Sequence, residues 1–149
     1  MYLTKKTYVK NWDHMEKENL HQITVKKGGK VRKDIKASRI SEIVEEVAYW
    51  RKANSIHAWF VENCQDGVDN CQKSYVSLEQ LGELLEQVEM ILKHKDKAED
   101  ILPTVGGFFF GSTDYDKWYF EDMENTKTLL SAIIAEDQGT GGYYYHASW

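Results

Sequence analysis

His57, Asn54 and Asp122 are polar residues that the helical periodicity of this chain sets on otherwise apolar faces. A buried imidazole and a buried carboxyl either hydrogen-bond to each other and fix helix register, or exchange a proton with a ligand. As a catalytic pair, His57 and Asp122 would serve as acid and base in phosphodiester or N-glycosidic cleavage. Arg51 and Lys52 border His57 and could neutralise a phosphate, the arginine with a bidentate fork. Trp50 and Trp59 offer rings for stacking on a base, and Asn54 could read its edge. Gly107 and Ser112 stand in a glycine-flanked segment ahead of a helix start, where backbone N–H groups can approach an anion.

These residues sit in two aromatic, polar-studded stretches, 49–60 and 106–122, which together hold three of the five Trp. Ordinary core helices fill with Leu and Ala, so the mixture reads as a surface that recognises something. Trp59 falls on the polar side of its helical wheel, where it would stack on a base, pack under the tail or anchor a second subunit. With Tyr143, Tyr144 and Tyr145 it would expose more aromatic surface than a monomer tolerates, so a homo-oligomer is expected. The three phenylalanines at 108–110 read as a buried plug or a short strand.

No cofactor or metal is expected. Cys64 and Cys71 lie too far apart for a zinc knuckle, and Asp66 and Asp69 lack the rest of a calcium loop. No G-x-S-x-G, H-E-x-x-H or Walker pattern occurs. The net charge of −5 is uneven, because residues 26–39 carry seven Lys and Arg against Asp34 alone, a local +6 that leaves −11 elsewhere. The basic stripe could meet phosphates, but it also fits a lysine-protected hairpin. With an acidic remainder, nucleic acid is not the expected partner. No apolar run reaches the roughly 20 residues of a membrane span, so the expected setting is cytoplasmic.

The positioning elements follow from hydropathy period. At 149 residues the chain fits one domain spanning 1–137, followed by a flexible Tyr- and Gly-rich tail, 138–149. Residues 22–36 read as a β-hairpin turning at Gly28-Gly29. Residues 41–136 form a helical body: 41–63 with an apolar arc wider than half its circumference, 78–94 with a capping box at Ser77 and Gln80, and 114–136 with Thr113 as N-cap. Leu81, Leu85, Val88, Leu129 and Ile133 are expected to be buried, and Trp118 lies in the apolar arc of the last helix. The fold class is α+β and α-rich: a small N-terminal hairpin packed on three long helices.

Residues 49–60, 61–71, 102–104 and 107–122 also resemble a family of small bacteriophage and prophage proteins with no established activity. The resemblance spans about residues 40–135 and implies a phage protein in the bacterial cytoplasm. By analogy with phage anti-defence proteins, it points to a sponge that captures a nucleotide-like anionic immune signal. The rival readings are an inhibitor that binds a host defence protein and a small His57/Asp122 hydrolase acting on a nucleotide.

Overall fold

The computed structural model describes residues 1–107 and 111–148. Its architecture is mixed α+β: one four-stranded antiparallel sheet, one two-stranded hairpin and four α-helices among the described residues. The large sheet runs β4 (Glu42–Tyr49), β1 (Tyr2–Tyr8), β6 (Gly142–His146) and β5 (Lys73–Val76). The hairpin joins β2 (Lys26–Lys27) to β3 (Lys30–Val31), and all four of its strand residues are exposed. The turn is the expected Gly28-Gly29, both with positive φ. The sheet that packs with the helices is the four-stranded one.

The expected helix 41–63 divides in two. Residues 42–49 form β4, and α1 covers only Asn54–Cys64. The apolar arc was too wide because two periods were being read as one. Ile43, Val44 and Val47 suit a strand, and β1 supplies a partner for each β4 residue except Val47. The register shifts between Leu3 and Thr4, which face Ala48 and Glu46. Val47 is the extra residue, and it packs against the core beside buried Ala48. Lys52 then takes a positive φ of 61°, which no continuous helix can accommodate.

The other helices lie close to expectation. α2 (Leu78–Lys93) opens with the Ser77–Gln80 capping box, both reciprocal hydrogen bonds formed. Short α3 spans Ala98–Ile101, and α4 spans Lys117–Glu136, three residues later than expected. Its N-cap is Asp116, not Thr113, because the Asp116 carboxylate accepts from the backbone N–H groups of Trp118 and Tyr119. Leu81, Val88 and Ile133 are buried, with Leu85 and Leu129 partly so. The expectation for the phenylalanines at 108–110 lies outside the described residues.

The tail is the larger correction. Residues 142–146 form β6, an interior strand paired with β1 on one side and β5 on the other. Tyr143 and Tyr145 point inward, at 5% and 0% exposure. Tyr145 stacks on Phe60 of α1, ring centroids 4.1 Å apart and planes 9° from parallel. Lys5 and Tyr143 both hydrogen-bond to Asp137 Oδ1, at 2.9 and 2.7 Å, which clamps the end of α4 to the sheet. Those bonds, together with the Gly139 N–H, hold the Asp137 carboxyl down at about 2. Trp59 is also inside, 5% exposed and edge-on to Phe60 at 5.3 Å. Much of the aromatic surface behind the expected self-association is thus buried in the chain's own core.

Gly141 opens β6 with a φ of +89°, and a Cβ there would stand 2.2 Å from the Lys6 carbonyl oxygen. Gly141→Ala should therefore cost at least about 2 kcal/mol in urea denaturation. Gly82, inside α2 with open space around it, is the internal contrast. Gly82→Ala should be neutral or stabilise by up to about 1 kcal/mol. Equal effects at the two positions would contradict the β6 placement.

Candidate functional site

The break between β4 and α1, Thr104, the segment 111–116 and the start of α4 enclose a cavity of about 310 Å³. Arg51, Lys52, Asn54 and Ser55 form one wall. Thr104, Gly111 and Ser112 form the second, and Asp114, Asp116, Trp118, Glu121 and Asp122 the third. Loop and helices are pinned by specific bonds. Asn54 Nδ2 donates to the Ser112 carbonyl at 3.1 Å, tying α1 to the loop. Thr104 Oγ1 donates to the Thr113 carbonyl at 2.7 Å, and Tyr119 OH donates to the Leu102 carbonyl at 2.9 Å.

The two polar ends of the cavity differ. On the α1 side stand Arg51 and Lys52, both exposed, at a helix N-terminus with no side-chain cap and no acidic residue in its first turn. That end carries the partial positive charge of the helix dipole and backbone N–H groups without intrahelical partners. On the α4 side the Asp116 carboxylate already caps the helix. Asp114, Glu121 and Asp122 add negative charge there. Burial, followed by the neighbouring charges of Glu121 and Asp116, pushes the Asp122 carboxyl up to about 6.

Of the residues singled out from sequence, Arg51, Lys52, Asn54, Ser112 and Asp122 meet in this cavity. The others do not. Trp50 is 1% exposed and cannot stack on a ligand. Its Nε1 donates to Thr126 Oγ1 at 2.9 Å, and Thr126 Oγ1 donates to the Asp122 backbone carbonyl at 2.7 Å. Trp59 is buried, and Gly107 is exposed outside the cavity lining.

His57 does not pair with Asp122. Its Nδ1 lies 2.6 Å from Tyr145 OH and its Nε2 lies 2.9 Å from Asp69 Oδ2. A carboxylate only accepts, which puts a proton on Nε2. Burial pushes the Tyr145 phenol well above its ordinary pKa, so it keeps its proton beside Nδ1 of His57. With His57 3% exposed and Tyr145 fully buried, this relay ties β6 to α1 and to the loop after it. The His57 ring nitrogens, which the hydrolase alternative set beside Asp122, thus face Tyr145 and Asp69.

Sequence reasoning missed Trp118 as a site residue, placed in an apolar arc yet 69% exposed, and Asp114, Asp116 and Glu121 around it. The signal was present in the spacing: Trp118 and Asp122 are four residues apart, so they share a helix face. Burial raises the Cys64 thiol to about 12, which keeps it protonated and poorly nucleophilic. Among the described residues, no group of three His, Cys, Asp or Glu is arranged to hold a metal ion.

The raised Asp122 pKa has a stability consequence. Its ionised form is disfavoured in the folded chain, so burial costs stability above about pH 6, and the cost fades as pH falls toward the ordinary 3.8. Asp122→Asn should therefore stabilise the fold by about 1–2 kcal/mol at pH 8 and leave it nearly unchanged at pH 4. Denaturation at the two pH values checks this, and a pH-independent effect would contradict it.

In comparison with known proteins, no family model, curated protein or solved structure matches the chain.

Proposed function

We propose that the cavity binds a small nucleotide-like anion without converting it. The observation that carries this reading is the division of charge within one cavity. Arg51 and Lys52 flank the uncapped N-terminus of α1, and the opposite wall is acidic around an exposed tryptophan. A phosphoryl group suits the first end, where charge-assisted donors and the helix dipole act together. The second end suits a body rich in hydrogen-bond donors, such as ribose hydroxyls or a base amino edge, which carboxylates accept. Trp118 takes the stacking role that sequence had assigned to Trp50 or Trp59.

The balance of charge narrows the ligand. The lining holds two cations against four carboxylates, so a triphosphate would be repelled, and a ligand with one or two phosphoryl charges fits better. Protonation of Asp122 near pH 6 removes one of those negative charges. In the setting implied by the phage resemblance, such a protein would act as a sponge in the bacterial cytoplasm, withholding a nucleotide signal from host immunity. Hydrolysis is the weaker reading, because His57 lies outside the cavity lining and is held by Tyr145 and Asp69. A host defence protein would use the same exposed Trp118, since Trp and Arg dominate interface hot spots.

Titration calorimetry with nucleoside mono- and diphosphates and cyclic dinucleotides should find a ligand that is recovered intact. Arg51→Ala should weaken it by about 1.5–3 kcal/mol and Trp118→Ala by about 1–3 kcal/mol. Neither should move the melting temperature much, because both side chains are exposed. Affinity should rise as pH falls from 8 to 6. Absence of any nucleotide ligand would end this reading, and a host protein retained through Trp118 would replace it.

A further inference from the structure

The helices cover one face of the four-stranded sheet. Leu3, Ala48, Val76, Tyr143 and Tyr145 point into the core, and the alternate residues face away from it. Register aligns Tyr49, Tyr2, His146 and Lys73 in one cross-strand row, and Glu46, Thr4, Tyr144 and Tyr75 in the next. Lys6 lies between Val44 and Gly142 in a third row, and Tyr8 pairs with Glu42 beyond it. Five tyrosines and a histidine thus stand on the outer face, with Tyr8, Tyr49 and Tyr75 exposed at 59%, 47% and 59%.

Packing does not require those rings. The outer face of a half-buried sheet is ordinarily polar. Here Tyr2 and Tyr49 lie 5.1 Å apart, and Tyr75 meets Tyr144 edge-on at 5.8 Å. The ammonium groups of Lys6 and Lys73 sit over the Tyr144 ring at 5.2 and 5.5 Å. Glu42 and Glu46 are confined to the β4 edge, where Glu42 pairs with Lys6 at 3.3 Å. The connection from β1 to β4 carries the +6 stretch 26–39. It leaves and rejoins the sheet at the Tyr8–Glu42 end, closed by the Val9 N–H on the Ser41 carbonyl.

The geometry points to this face as a platform for single-stranded nucleic acid. Exposed rings on adjacent strands stack on unpaired bases, and the lysines beside them follow the phosphates. Lys73 supplies complementary charge at the β5 edge, opposite Glu46 on β4, and Lys6 and the basic stretch add cations toward the Tyr8–Glu42 end. A duplex keeps its bases stacked inside and has no free base face to offer. This departs from the expectation drawn from composition, which weighed the basic stretch without knowing that a tyrosine face adjoined it. The platform is independent of the nucleotide-like ligand, because none of its residues lines the cavity.

Fluorescence anisotropy with labelled oligo(U) and oligo(dT) of about 12 nucleotides, and a duplex of equal length, tests the assignment. Either single strand should bind at least about tenfold more tightly than the duplex at low salt. Tyr75→Ala should weaken binding by about five- to a hundredfold, while Tyr75→Phe, which keeps the ring, should largely retain it. Lys73→Ala should reduce the slope of log affinity against log salt by about 0.7, and carries the test if Tyr75→Ala does not fold. No binding, equal binding of duplex, or a Tyr75→Ala variant that binds like Tyr75→Phe would overturn the proposal, as would an unchanged salt slope in Lys73→Ala.

Discussion

β6 lies between β1 and β5, and among the described residues it is the strand that joins the two halves of the sheet. Without it, β1 and β4 would form a two-stranded ribbon and β5 a detached strand of four residues, neither stable alone in water. The inward residues of β6 do most of the joining. Tyr145 covers Phe60 of α1 and hydrogen-bonds to His57, and Tyr143 holds Asp137 at the end of α4. One strand near the end of the chain therefore fixes the sheet, the first long helix and the last one together.

The cavity inherits its geometry from that arrangement. α1 is held from its inner side by Tyr145, and its first turn, with Asn54 and Ser55, faces the cavity. Trp50, at the end of β4, reaches across to Thr126 of α4, whose hydroxyl engages the Asp122 carbonyl. Sheet and helix are thus bonded through the residues directly beneath the acidic wall. Residues that sequence suggested for ligand contact, Trp50, His57 and Trp59, instead form the aromatic layer that supports the site. Arg51, Lys52 and Trp118 stay exposed above it.

Local signals were read well and non-local ones were not. The α2 boundaries were legible because the capping box and the Leu stripe lie within a few residues of each other. The β4–α1 break was hidden, since no glycine or proline marks it; the partner that makes 42–49 a strand stands more than 30 residues away in β1. The tail was misread for a related reason. Its glycines look like loop punctuation, while Tyr143, Tyr144 and Tyr145 favour a strand only once β1 and β5 are there to pair with. Site legibility followed the same rule. Arg51, Lys52, Asn54 and Ser112, which line the cavity, stand out by residue type, whereas the exposure of Trp118 depends on where tertiary packing ends.

The central claim, that a strand near the C-terminal end organises the fold, is tested most directly by hydrogen exchange on the intact chain. Amides of residues 143–146 that pair with β1 and β5 should be among the slowest to exchange, opening with nearly the full free energy of global unfolding. Exchange of this segment at the rate of an unstructured peptide, while α2 and α4 remain protected, would contradict the account.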